Sequence, residues 1–354
     1  GPLVSVLGAT GDTAALAVHF LQIVVPSQPL LMVGMIGGAV LRSHGDARSA
    51  MMATVWGALA TAVLDPILIF GLGLDLTGAA LASVAARVVI AVMALRPITR
   101  RYGGFDRPTP GQVLADMGPI WAIAVPAILT QVATPVGQAF ITRATSAHGE
   151  AAVAGMAIAG RLTPVAFGVI FALSGAIGPI IGQNFGAGRM DRVRRAFRDG
   201  LTFTGLVILL VSALLFLLRA PIADAFRAEG LTRDLVYLFC GPLALLWFFN
   251  GAIFVANAVC NNLGRPFWST VVNWGRHTLG TIPLALWLGG IWGAQGVLIG
   301  QALGGVIFGF AAVWLALRAI ASPAVPVPAG PRAVPAGPAA PEADPVVSPG
   351  ERRA

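Results

Sequence analysis

The pattern that most constrains this chain is a run of nine apolar stretches, at about 13–41, 48–71, 76–97, 115–143, 151–183, 196–219, 233–260, 266–289 and 292–319, with short connections between them. An α-helix needs about 20 mostly apolar residues to cross ~30 Å of hydrocarbon, where no water satisfies loose backbone groups. Each stretch meets that length, so the sequence predicts an all-α, polytopic membrane helical bundle with about nine transmembrane helices. A soluble core is excluded on the same grounds. With 56% hydrophobic residues, 11% charged residues and a mean hydropathy of +0.81, a soluble chain of 354 residues would be left with far too much exposed apolar surface.

All 23 basic residues are Arg, and they follow the connections rather than forming one cationic face. Despite a pI of 11.2, no nucleic-acid partner is therefore expected. One set of connections holds Arg42, Arg48, Arg96, Arg100, Arg101, Arg107, Arg189, Arg192, Arg194, Arg195, Arg198 and Arg265; the alternate set holds only Arg143, Arg219, Arg227 and Arg233. Because basic residues are retained on the cytoplasmic side of short loops, the C-terminus is expected to be cytoplasmic and the N-terminus, as given, external. Such a pattern suits a multi-pass protein of the bacterial cytoplasmic (inner) membrane. An external start without Met and an odd number of spans are unusual, so Gly1 to Asp12 reads as the tail of a loop rather than a true start. The Pro- and Ala-rich residues 320–354 read as a disordered cytoplasmic tail.

Enzyme chemistry has little support. Cys240 and Cys260 fall on one predicted helix, 20 residues and so roughly 30 Å apart, too far to form a disulfide. His19, His44, His148 and His277 lack metal-ligand spacing, and neither a Walker motif nor HExxH is present, so no metal is expected and no cofactor beyond a coupling ion. The run Gly182-Gln183-Asn184-Phe185-Gly186-Ala187-Gly188-Arg189 lacks the GK[ST] ending of a phosphate loop and reads as a glycine-ended helix with a basic turn.

A weak repeat is visible. Ala39-Val40, five residues before Gly45, recurs as Ala258-Val259 before Gly264, at an offset of 219, and Gly78-Ala79-Ala80-Leu81 is answered by Gly296-Val297-Leu298-Ile299. Both three-helix groups have an Arg-free connection between their second and third helices. Repeats of like orientation imply a pseudo-two-fold axis along the membrane normal and a solute path between two halves.

Three stretches resemble a known family. Pro164-x3-Gly168, Pro179-x3-Gln183-Asn184-x-Gly186-Ala187-Gly188-Arg189 and Asp191-Arg192 are similar to the eighth helix and following loop of multidrug and toxic compound extrusion (MATE) transporters. Leu64-Asp65-Pro66-x-Leu68-Ile69-Phe70-Gly71 with Gly78-Ala79-Ala80-Leu81-Ala82-Ser83 resembles helices five and six. Arg276, Ile282-Pro283-Leu284-Ala285 and Gly293-x2-Gly296-Val297 resemble helices eleven and twelve. The resemblance covers nearly all of Gly1 to Ala319 and implies a two-lobed fold of twelve helices, of which this chain supplies the fourth to the twelfth. It divides the chain into residues 1–100 of an N-terminal lobe, a 101–114 linker, and residues 115–319 of a C-terminal lobe.

The resemblance also implies a function: a cation-coupled, monomeric secondary antiporter, embedded in the lipid bilayer, that exports amphipathic or cationic drugs and toxins by alternating access. A lipid-linked oligosaccharide flippase of the same superfamily and a non-transporting fragment are the alternatives. Asp65 is the one carboxylate well inside a predicted span, and a charge at membrane depth is a functional hypothesis by default. One branch of the family completes such a site with an Asn one turn earlier and a hydroxyl on the next helix; here Thr61 and Ser83 stand there. A second branch places acids on helices seven and ten, near Gln131, Thr134, Gln138, Asn250 and Asn257, which are uncharged here. H+ rather than Na+ coupling in the N-terminal lobe is therefore expected. Arg87, Arg161 and Arg276 also lie within spans: the latter two fit a packing role between helices, whereas Arg87, four residues after Ser83, is placed to touch a cavity or to neutralise Asp65. Trp247, Phe248, Phe249 and Phe254, with Met32 and Met35, are candidates for a drug pocket or for lipid-facing surface.

Overall fold

A computed structural model describes residues 11–105 and 108–323. All regular structure in these residues is helical. It comprises α1 (Gly11–Val24), α2 (Gln28–Ser43), α3 (Ala47–Pro66), α4 (Asp75–Arg101), α5 (Pro110–Ser146), α6 (Glu150–Ala166), α7 (Gly168–Gly186), α8 (Met190–Ala225), α9 (Gly230–Leu238), α10 (Ala244–Asn262), α11 (Pro266–Gly275) and α12 (Thr281–Ala321). A 3₁₀ turn at Val25–Ser27 joins α1 to α2, and π turns occupy Ile67–Gly71, Phe239–Leu243 and Arg276–Gly280.

Among the described residues, eight helical runs are long and apolar enough to cross a membrane. The last, Pro266–Ala321, spans 56 residues, but its backbone leaves the helix at Trp292 and at Gly293, where φ is +60°. It thus forms two antiparallel rods, in agreement with the predicted boundary near 290. The outer faces carry large apolar side chains: Phe70 is 83% exposed and Leu217 75%. Such exposure is costly in water and expected against lipid tails. The expected tail at 324–354 and the start at 1–10 lie outside the described residues.

The chain separates into two compact units, dividing between Arg107 and Pro108. In the first, α4 turns a small-residue face inward, with Gly78, Ala80, Ala82, Ala86, Ala91 and Ala94 buried. A Cβ on Gly34 would come within 2.7 Å of Ile90, and one on Gly37 within 2.9 Å of Ala94. Since lipid gives no hydrophobic drive for helix association, this close backbone approach supplies the packing energy. In the second unit α10 is central, burying Gly251, Ala252, Ile253, Val255, Ala256 and Val259 among α7, α8 and α12.

Prolines set most of the breaks. Pro66 ends α3 and is followed by a π turn closed by Leu72 N–H donating to the Ile67 carbonyl at 2.9 Å. Gly241 precedes Pro242 and sits at φ −94°, ψ −115°, because a residue before proline is driven out of the helical region. The single helix expected over 233–260 is therefore broken, and Cys240 lies in the break; Cys240 and Cys260 are both buried, free thiols.

The weak repeat is firmer in the backbone than in the letters. His44 and Leu263 N–H donate to the carbonyls of Val40 and Val259, and Asp46 and Arg265 N–H donate to those of Leu41 and Cys260, the same bonds at an offset of 219. Gly45 and Gly264 have φ of +81° and +77°, a region only glycine enters without strain. Further along, Gly78 abuts the Leu68 backbone and Gly296 that of Leu288.

The Arg-rich connections meet within each unit. Arg101 Nη1 lies 3.4 Å from Asp46 Oδ2, and Arg265 Nη2 donates to the Ser322 carbonyl at 2.7 Å. Asp46 also caps α3, accepting from Ser49 N–H at 3.0 Å. The hydrogen bonds from Ser49, then Arg101 and Tyr102, hold its carboxyl below the usual carboxylate range. A depressed folded-state pKa means that this stabilisation is present above the unfolded value and is lost as pH falls through the folded one. Asp46→Ala is expected to cost about 1 kcal/mol at neutral pH, with the difference from wild type closing in acid; thermal melts of the purified protein at several pH values measure both.

Candidate functional site

The second unit encloses a cavity of about 1020 Å³. Its walls follow from helix periodicity. On α5, Ala127, Thr130, Gln131, Thr134, Gln138 and Thr142 recur every three or four residues, and on α10, Trp247, Asn250, Phe254, Asn257 and Asn261 do the same. Each set is one stripe of an otherwise apolar helix. α5 is further opened by Pro135, whose missing N–H leaves the Gln131 carbonyl without its helical donor beside the cavity.

The third wall comes from the break between α11 and α12. Within the π turn, Thr281 N–H donates to the Arg276 carbonyl five residues back, and the consecutive residues Arg276 and His277 are both buried, 8% and 7% exposed. Gly275 and Gly280 flank the turn and let Phe308 press against it. Arg276 Nη1 donates to Asn250 Oδ1 at 2.5 Å, and Nη2 lies 2.6 Å from His277 Nε2. A guanidinium cannot accept, so His277 Nε2 is the acceptor and the ring is neutral with its proton on Nδ1. The ring in turn lies against Gly137, where any Cβ would collide with it.

Beside this cluster is an aromatic wall. Trp247 stacks on Phe167 at 4.4 Å and 9°, and Phe171 meets Trp247 edge-on at 5.8 Å and Phe254 at a tilt at 5.4 Å. Among the described residues, no Asp or Glu lines the cavity. The side-chain amides of Gln131, Gln138, Asn257 and Gln301 have no hydrogen-bond partner among the described residues and remain available to a solute.

Six sequence candidates, Gln131, Thr134, Gln138, Asn250, Asn257 and Arg276, thus come together here. Arg161 does not: it is exposed on α6, with no hydrogen bond or ion pair to a described residue. Trp247 and Phe254 line the cavity, whereas Phe249 packs on Phe310, and Met32 and Met35 are 49% and 60% exposed in the other unit. Asn261 was missed although it continues the α10 stripe; Asn273, His277 and Gln301 had no local signal.

In the first unit Asp65 is half-buried at the end of α3, with no hydrogen bond or ion pair to a described residue. Thr61 Oγ1 donates to the Gly57 carbonyl of its own helix at 3.2 Å, and Ser83 is half-buried on α4, which packs along α3. Two roles were open to Arg87, touching a cavity or neutralising Asp65, and no Asp65 contact is seen among the described residues. Arg87 Nη1 donates instead to the Val24 carbonyl at 2.8 Å and to Ser27 Oγ at 2.7 Å. The 3₁₀ turn around Pro26 turns these acceptors toward α4, so Arg87 locks the α1–α2 elbow.

Comparison with known proteins decides the class, because the MatE family model matches residues 1–67 and 126–287. The chain belongs to the MatE family. A protein of Shewanella oneidensis named FAD transporter is 31% identical, over 90% of this chain and 72% of its own length. The multidrug export protein MepA of Staphylococcus aureus (strain NCTC 8325 / PS 47) is 22% identical, over 84% and 66%. Among solved structures, the Vibrio cholerae MATE transporter VcmN in the bent form superposes with a TM-score of 0.82 at 24% identity, covering 91% of this chain and 73% of that one. This MatE protein is accordingly a multi-pass membrane transporter that handles small molecules.

Proposed function

We propose that this MatE protein is a proton-coupled antiporter of the bacterial cytoplasmic membrane, working as a monomer with its C-terminus cytoplasmic, that exports amphipathic aromatic solutes by alternating access. Asp65, with Thr61 and Ser83, is the coupling site in this reading, and the cavity of the second unit holds the solute. The observation that carries it is the cavity lining: aromatic rings, unengaged amides and one guanidinium, without a carboxylate. Such a surface suits planar rings with neutral or anionic polar ends better than a cation, which would meet Arg276 with no acid to offset it. The relative named FAD transporter favours a flavin nucleotide among such solutes, and the MepA relatives favour a broader range of compounds.

Reconstitution into proteoliposomes with an imposed pH gradient tests this. FAD is expected to move against its own gradient when the proton gradient is present and to stop when an ionophore collapses it, while cationic ethidium moves several-fold more slowly. If neither solute responds to a proton gradient or to a sodium gradient, the antiporter reading fails.

A further inference from the structure

Arg276 is a buried guanidinium in a membrane-spanning segment, and no acid offsets it. The ion pairs among the described residues join Arg101 to Asp46, Arg198 to Asp199 and Arg233 to Asp224, all away from the cavity. Of its five N–H donors, one goes to Asn250 and one to His277, both neutral, while Nε is buried without any partner. Arg87 also makes two hydrogen bonds, both from Nη1 to Val24 and Ser27, but of these two arginines only Arg276 leaves a buried N–H without a partner. Leaving a buried charge uncompensated is costly, and the cost is offset when a ligand supplies the counter-charge.

From this geometry we infer that Arg276, oriented by Asn250 and His277, forms an anion subsite in the cavity and takes the carboxylate or phosphate group of the transported solute. A planar fork meeting two oxygens is the strong form of this contact, and Asn250 and the neutral His277 hold the fork without competing for it electrostatically. Gly137 belongs to the same device, since only a residue without Cβ leaves room for the His277 ring. The subsite also sets the shape of its ligand. Trp247, Asn250 and Phe254 follow one another at about one helical turn, ~5.4 Å, on a single face of α10. A fitting solute therefore joins an anionic group to aromatic rings, which rest on the Trp247–Phe171–Phe254 wall beside Asn250.

The inference rests on the transport reading above, and binding to the purified full chain separates the two. Two probe pairs differ in charge: riboflavin against riboflavin 5′-phosphate, and 1-naphthamide against 1-naphthoate. The wild type is expected to bind the anionic member of a pair at least tenfold more tightly. Arg276→Gln should bring that ratio to within twofold. Asn250→Asp, which sets a carboxylate against the guanidinium, should abolish the preference with Arg276 in place, and it decides the matter if Arg276→Gln does not fold. Equal binding of both members by the wild type, or a preference that survives in the variants, overturns the subsite even if flavins are transported. A naphthoate preference lost in the variants, with no binding or transport of flavins, upholds the subsite and removes the flavin reading.

Discussion

Asp65→Asn is expected to abolish efflux driven by a pH gradient in proteoliposomes, a fall of more than a hundredfold, while leaving the protein folded. The carboxylate is half-buried at the end of a membrane-spanning helix and is engaged by no described donor or cation. Arg87, the nearest candidate counter-ion by sequence, is held by Val24 and Ser27 instead. In the coupling reading this carboxylate carries the proton, and Asn keeps its shape while removing the acidic group. The π turn that follows Pro66 adds a means of response, because such turns are local irregularities at which a helix can change geometry. Exchange of solute across the membrane without a gradient should persist in the variant, which separates lost coupling from lost binding. Unchanged gradient-driven efflux would remove Asp65 from the mechanism.

Gly300→Ala should destabilise the second unit by about 3 kcal/mol. A Cβ there would lie 2.5 Å from the Ala285 amide nitrogen and 2.6 Å from the Leu284 carbonyl carbon, so the two rods of the final hairpin would have to separate. Gly304, one turn further on, faces the Gly280 backbone at 2.7 Å and shares the same seam. Side chains can rotate away from a clash; backbone atoms cannot, and the π turn carrying Arg276 is tied to this contact. Heating the purified protein and measuring the fraction that stays monodisperse tests the prediction. Gly290→Ala provides the control, because nothing lies within 4 Å of its would-be Cβ and no loss is expected.

Much of the architecture was legible in the residues. Hydropathy located the helical rods because hydrocarbon admits only internally bonded backbone. Arg101 and Arg265, both from the Arg-rich set of connections, make their contacts to Asp46 and Ser322 within each unit. Glycine placement predicted the turn after α7, where Gly188 has a φ of +69°. Part of the cavity was also readable, since amides at Gln131, Gln138, Asn250 and Asn257 stand out in apolar helices at helical spacing.

The rest depended on contacts between residues distant in the chain. Arg276 was visible as a charge within a span, but its use of Asn250, 26 positions away, follows only from how α10 packs against the last hairpin. His277 had no periodic signal, because the π turn that brings it beside Arg276 is an irregularity no 3.6-residue pattern predicts. Arg87 shows the same limit in the other direction: spacing placed it one turn from Ser83, whereas the elbow at Pro26 decided its partners. Sequence alone determined that this chain is a helical membrane protein with repeated three-helix halves and a family resemblance, since those depend on local composition and backbone length. Only tertiary structure decided that an unpaired guanidinium, an aromatic wall and a set of free amides share one carboxylate-free cavity, since that depends on which helix faces meet.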